Sequence, residues 1–477
     1  MNWTKLMCAD RPRMHTSKQK PNPNDLRTEF EKDYHRILTS ASFRRLQDKT
    51  QVFPLDQSDY IRTRLTHSLE VSSFGRSLGQ NVGRRILQEK KASGFTAQNI
   101  NDISDVLQCA GLLHDIGNPP FGHFGESAIQ DWFASHMDRL LYDGKPLSEI
   151  LNAQMQADLT HFEGNTQALR VVSKLHFLVD ENGMNLTKAL LGTLIKYPGS
   201  SLEISYDKND PDRDIKHKKM GYFYAERTLF DDIQKSTGTN GNRHPLSFLL
   251  EAADDIAYTT ADIEDAVKKG LLNYAILHEE LHMTCLQRDT HKVVKDLLTT
   301  LKTLYDKAIE NRCENPDLYA VQNWVIAVQG KFLGAATDSF MDRYEEIMEG
   351  NCRVELLHGI KITPLLKAMQ DIAYRYAFVS KPILKLEVKA DSIFDFLLDR
   401  FTRAFLYETG TPLWKQNHTA VDEKMARLMS EDYLRIYRVY SEGCDEAEKL
   451  YLRMLLVTDY ISGMTDGFAK RMYEELR

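Results

Sequence analysis

The chain has 477 residues, 42% of them hydrophobic and 27% charged, with 61 Lys and Arg set against 68 Asp and Glu, a formal charge of -7. Such a composition belongs to a folded globular protein and excludes a disordered chain, a fibre and a generally basic nucleic-acid-binding surface. A polyanionic ligand would have to be held by a local positive site or by a metal.

The first 27 residues carry six Lys/Arg and two Asp without helical periodicity, the pattern of a solvated or subunit-wrapping basic arm. They lack the apolar core of a signal peptide, and no later stretch approaches the ~18 uninterrupted apolar residues of a membrane span. A cytoplasmic protein is the expectation. The cysteines, at positions 8, 109, 285, 313, 352 and 444, form no CxxC pair and read as reduced thiols.

With 25 Gly and 14 Pro, about 8% of residues against a usual ~12%, the chain reads as mainly helical. The first helical pattern covers residues 65–90. His67 opens it, directly after Arg62 and Arg64, an unusual concentration of cationic and imidazole groups beside an apolar run. In the next, over 102–113, Ile103, Val106, Leu107, Ala110 and Leu113 share a face. It runs into HDIGNPPFGHFGE, His114 to Glu126, whose Gly-Asn-Pro-Pro stops the helix. His114 and Asp115 offer adjacent nitrogen and oxygen ligands, but neighbours on a helix diverge by about 100°. Both reach one ion only if it sits between helices; otherwise His114 is a hydrogen-bonded core histidine.

Periodic stretches follow at 124–141 and 165–179. Residues 198–220 and 236–245, dense in charge, Gly and Pro, read as flexible connections. Next comes 246–272. On a wheel with Asp254 at zero, Glu251, Tyr258, Asp262 and Asp265 fall within about 80°, while Leu249, Ala253, Ile256, Thr260, Ile263 and Val267 take the far side. That acidic stripe is either the solvated face of a surface helix or a ligand-bearing face on which Asp254 is better aimed than Asp255. Patterns at 294–310, 318–349, 391–408 and 423–440 complete the chain, with no fixed-period repeat.

His67, the pair His114-Asp115 and Asp254 match the H…HD…D ligand pattern of the HD superfamily of metal-dependent phosphohydrolases. Within it, SASFRRLQDKTQVF (Ser40 to Phe53), RTRLTHSLEV, HDIGNPPFGHFGE, HFEGNTQALR (His161 to Arg170), LIKYP, EAADDIAY and DYISGMTDGF resemble, in order, the deoxyguanosine triphosphate triphosphohydrolase (dGTPase) family. Residues 273–450 add little to the resemblance. Gly467-Phe468 depart from it where a charged residue and an aromatic are expected.

The resemblance implies an all-α fold with a basic arm at 1–27, an HD core at 28–272 and a helical C-terminal region at 273–477 packing back on that core. It implies a divalent metal on His67, His114, Asp115 and Asp254. Two imidazoles and two carboxylates suit Mn²⁺ or Mg²⁺, and also Fe²⁺, Ni²⁺ or Zn²⁺. No GxxxxGK[ST] loop is present, so phosphates would be held by the metal and separate basic side chains.

His123 is the implied acid/base histidine, with Glu126 orienting it or the water. Gln51 and Val52 are the implied sugar contacts, packed so that a 2′-hydroxyl finds no room. Arg64, Asn165 and Lys196 are implied triphosphate contacts, with His161 near the phosphates. Tyr258 is expected against the deoxyribose, and Asp262 as acceptor from its hydroxyl. The implied reaction is hydrolysis of dGTP or another dNTP at the α-phosphorus to a deoxynucleoside and inorganic triphosphate. The family further implies a homo-oligomer, often a hexamer, with single-stranded DNA as a regulator of some members. Two alternatives stand beside this reading: an HD hydrolase of another nucleotide, and a nucleic-acid-binding regulator with a structural metal.

Overall fold

The computed structural model describes residues 1–13, 24–53, 62–176, 182–205, 214–286 and 291–477. Regular structure is helical almost throughout. Among the described residues the strands are Leu141–Tyr142 and Lys145–Pro146, paired as one antiparallel hairpin. The fold is all-α, in line with the low Gly and Pro content. No described helix is long and apolar enough to cross a membrane.

Three helices frame the centre of the molecule. Arg64–Arg85 starts behind Thr63, whose hydroxyl accepts from the Thr66 amide at 3.3 Å. Ala97–Leu113 packs along it, and the crossing is tight because Gly111 has no side chain: a Cβ there would lie 2.6 Å from the Ser72 backbone. The third helix, Pro245–Lys268, begins with proline in its first turn and His244 as cap. It is buried on nearly every side, including Glu251, Asp262 and Asp265. Its acidic stripe is therefore not a solvated face, and each carboxylate needs a partner inside the protein.

The buried apolar residues form two clusters. The first runs from Trp3 to Ile383 and takes in the helices Lys292–Glu310, Pro316–Asp342 and Thr363–Ala373. The second joins residues between Phe121 and Phe162 to Met220, Phe223 and the C-terminal residues from Ala390 to Ala469. A division at residue 272 thus does not separate two cores. The Pro119-Pro120 turn diverts the chain out of the first cluster, and the next helix, His123–His136, packs on Lys381–Phe405. The HD motif sits at the seam between the clusters.

Residues 1–13 do not form a solvated arm. The short helix Trp3–Leu6 inserts Trp3 and Leu6 into the first cluster, and Trp3 Nε1 donates to the Tyr344 hydroxyl at 2.8 Å. Hiding each of these side chains contributes roughly 2 kcal/mol. Arg11 is buried too, 2.6 Å from Asp33 and 2.9 Å from Glu29, so part of the leader's positive charge is neutralised internally. Residues 14–23 of the expected arm lie outside the described residues.

The stretch 198–220 is packed where it is described: the Gly221 amide donates to the Gly199 carbonyl at 2.8 Å and Ser201 Oγ to Asp158 at 2.6 Å. Residues 206–213 lie outside the description. In 236–245, Gly238 ends the helix Arg227–Thr237 and His244 is buried. The pattern at 423–440 is two helices, Ala420–Leu428 and Glu431–Ser441, parted at Met429-Ser430.

Candidate active site

The framing helices bring His67, His114 and Asp254 together, one ligand atom of each lying within 4.8 Å of the others. Asp254 Oδ1 is 3.3 Å from His67 Nε2 and 3.5 Å from His114 Nε2. Asp115 borders the cluster, with Oδ1 3.5 Å from His114 Nε2. Because His114 caps its helix, Asp115 belongs to the turn that follows. Asp254, as the wheel predicts, is the carboxylate at the imidazoles; Asp255 lines the adjoining cleft without joining them.

The donor set fits a divalent ion. A carbonyl oxygen can only accept, so His114 Nδ1 donates to the Gly111 carbonyl at 2.8 Å and Nε2 carries the lone pair. That Nε2 is buried without a hydrogen-bond partner among the described residues and faces carboxylate oxygens. Two imidazoles and a carboxylate converging in this way form a group that could hold a divalent ion.

Fixed cations flank the cluster. Lys196 Nζ lies 3.0 Å from Asp254 Oδ2, and Arg64 Nη1 lies 2.6 Å from Asp115 Oδ2, whose Oδ1 accepts from Asn118 Nδ2 at 2.7 Å. Burial alone would raise the Asp254 carboxyl; the Lys196 ammonium and the His114 ring outweigh it and hold the group well below the ordinary range. Asp115 is likewise lowered against its burial, by His114 and Arg64. Arg62 takes no part: it pairs with Glu70 at 3.0 Å and Glu264 at 2.5 Å.

Beside the cluster opens a cleft of about 830 Å³, lined by Gln51, Val52, Arg64, Asp115, His123, Asn165, Lys196, Tyr258 and Asp262. His123 reaches it through a turn in which Phe121 and Gly122 both take positive φ, +60° and +62°. Glycine suits the second position because its φ of +62° with ψ of -133° is a backbone conformation that residues with a Cβ rarely adopt. The His123 side chain is 80% exposed, whereas Glu126 beneath it is 6% exposed and bonds His123 Nδ1 at 2.7 Å. The other Glu126 oxygen accepts from the Gly164 amide at 2.8 Å. The hydrogen bond and charge of Glu126 raise the His123 pKa, and, against burial, the same bond lowers that of Glu126.

On the opposite wall, Tyr258 stacks on Phe378 with ring centroids 6.0 Å apart, and Asp262 lines the same side. Burial pushes the Asp262 carboxyl well up, and its Oδ2 has no partner among the described residues. Gln51 Oε1 is also buried without a partner. His161 is not brought to the cleft wall. It follows the helix Ala153–Thr160, and its Nδ1 turns back to donate to the Ala157 carbonyl at 2.9 Å.

Sequence patterning does not single out several further lining residues. Lys218 and Lys219, from the stretch read as a connection, enter the cleft beside Glu355 and Glu163, each 2.7 Å away. Their signal is the basic run KHKK. Tyr374, Phe378, Leu384 and Glu387 form a wall from the weakly resembling C-terminal half, with no local motif to mark them.

An HD domain matches residues 64–188, the span that carries His67, His114 and Asp115. The chain is 43% identical to a deoxyguanosinetriphosphate triphosphohydrolase-like protein of Listeria innocua, over 100% of this chain and 99% of that protein. The chain belongs to the dGTPase family of the HD superfamily. Relatives at greater distance agree: a dGTPase-like protein of Synechocystis is 32% identical over 100% of this chain and 99% of its own length. The deoxyguanosinetriphosphate triphosphohydrolase of Yersinia enterocolitica is 32% identical, over 94% of this chain and 93% of its own. The dGTPase relationship thus extends through residues 273–450, including the helices that supply the far wall of the cleft.

Proposed function

We propose that the protein is a metal-dependent dNTP triphosphohydrolase that prefers dGTP and releases deoxyguanosine and inorganic triphosphate. The observation that carries this reading is the convergence on one cleft of the His67, His114 and Asp254 cluster, the His123–Glu126 pair and the cations Arg64, Lys196, Lys218 and Lys219.

His67, His114, Asp115 and Asp254 would hold a divalent ion, which when bound would supply Lewis acidity at the α-phosphate. The basic side chains balance the charge of the triphosphate. With Nδ1 held by Glu126, the other ring nitrogen of His123 is the one available to the cleft. As a water oxygen bonds to the α-phosphorus and the bond to the 5′-oxygen breaks, that nitrogen gives its proton to the departing oxygen and regains one from the water. Glu126 stays ionised and steadies the imidazolium. Because the bond that breaks is the one to the 5′-oxygen, the three phosphates leave together; loss of the α–β bridging oxygen would give pyrophosphate and a monophosphate instead.

Gln51 and Val52 stand where the sugar is expected, with Tyr258 and Asp262 across from them. For the base, Tyr374, Phe378 and Leu384 offer apolar surface and Glu387 a carboxylate. Guanine presents N1–H and N2–H₂ donors that one carboxylate accepts together, a pairing that adenine lacks. Incubation with each dNTP and Mn²⁺, followed by separation of products, tests the reading. Triphosphate plus deoxyguanosine, formed fastest from dGTP, is the expected result; pyrophosphate plus monophosphate, or no turnover, would refute it.

A further inference from the structure

The block DYISGMTDGF has no role in the chemistry above, yet the structure seats it directly behind the cleft. Asp466, 2% exposed, lies in the first turn of the helix Asp466–Leu476. Its Oδ2 accepts from the Thr50 amide at 3.0 Å and the Thr50 hydroxyl at 2.5 Å, and its Oδ1 accepts from the Phe121 amide at 3.0 Å. One buried carboxylate thereby grips two loops distant in sequence. Thr50 directly precedes Gln51 and Val52; Phe121 directly precedes Gly122 and His123.

The Phe121 backbone has φ +60°, a left-handed conformation that a phenylalanine keeps only where its surroundings enforce it. The bond from its amide to Asp466 is part of that enforcement. A second tie runs in parallel: buried Lys49 Nζ donates to the Asn118 carbonyl at 2.6 Å and the Ser462 carbonyl at 2.7 Å. Neither tie touches His67, His114 or Asp254.

We propose that Asp466 is a positioning residue: it holds the sugar loop and the His123 loop in fixed register across the cleft, and through Val52 it sets the discrimination between deoxy- and ribonucleotides. This rests on the dNTP hydrolase reading of the cleft. Displacements of about 1 Å in a reacting assembly cost on the order of 10²-fold in rate, and exclusion of a single hydroxyl oxygen demands comparable fixity.

The test compares wild type with Asp466→Asn, Asp466→Ala and Thr50→Val, measuring kcat and KM for dGTP and GTP, Mn²⁺ affinity by calorimetry, and thermal unfolding. Mn²⁺ affinity should match wild type in every variant. The Asp466 variants should lose roughly 10- to 100-fold in kcat for dGTP, and the ratio of kcat/KM for dGTP over GTP should fall about tenfold or more. Thr50→Val, which removes one of the three bonds, should move that ratio the same way by less. An unchanged ratio, with activity falling only in step with the folded fraction, would reduce Asp466 to a structural staple and overturn the proposal. If the Asp466 variants do not fold, Thr50→Val decides by the same ratio. Wild type that hydrolyses no dNTP would instead refute the reading of the cleft, and this proposal with it.

Discussion

His114 is locked by its own helix: Nδ1 donates to the carbonyl oxygen of Gly111, one turn earlier, at 2.8 Å. The bond fixes the tautomer and aims Nε2 at Asp254 and Asp115, as a metal-ligating histidine requires. His114→Ala and Asp254→Ala should therefore abolish Mn²⁺ retention in equilibrium dialysis, whereas Asp255→Ala should keep most of it. Retention by Asp254→Ala with loss by Asp255→Ala would show that the wrong carboxylate has been assigned.

The His123–Glu126 pair sets an alkaline limb. Glu126 raises the His123 pKa, so the protonated acid is present below that raised value and is lost as pH climbs through it. kcat/KM for dGTP should decline along that limb, and Glu126→Gln, which removes the stabilising charge, should move the decline to lower pH. His123→Ala should cost about 10²- to 10⁴-fold in kcat. A limb that stays in place in Glu126→Gln would mean that another group titrates there.

Acid should weaken the fold at His244. This buried ring donates from Nε2 to the Leu6 carbonyl at 3.1 Å and accepts at Nδ1 from the Leu246 amide at 3.2 Å, and burial pushes its pKa down to about 4. The folded value is depressed, so between about pH 6.5 and 4 the unfolded chain binds the proton more readily. Stability is lost as pH falls through that window, by about 2 kcal/mol at pH 5. Urea midpoints at pH 7 and 5 should show this in wild type, and His244→Gln should flatten the difference. Equal pH sensitivity in the two proteins would exclude the ring as its source.

Arg170 ties the HD half to the C-terminal helix Glu446–Ser462. It is buried, bonded to Asp459 at 2.7–2.8 Å and to Glu226 at 2.7 Å. Asp459→Ala leaves part of that charge unpaired and should destabilise by roughly 3–5 kcal/mol. Circular dichroism and tryptophan fluorescence should report one shared transition at a lower midpoint. Two separated transitions would show that the clusters unfold independently.

Residue order by itself determined the helical class and the better aim of Asp254 over Asp255, and through the family resemblance it pointed to His67, His114, Asp115 and Asp254 as the metal ligands. The first two depend on local facts: apolar spacing along a helix, and a wheel on which Asp254 lies nearer the centre of the acidic stripe than Asp255. The His123–Glu126 pair was legible for the same reason, being one turn apart. Tertiary structure decided what depends on partners far along the chain. Trp3 and Arg11 look like members of a basic arm until Tyr344 and Asp33 are seen to receive them. Lys218, Lys219 and Glu387 reach the cleft only because separate segments fold over it. Asp466 acquires its meaning from two amides, at Thr50 and Phe121, that no local pattern connects to it. Periodicity records which way a side chain faces; what it faces is set by packing between segments.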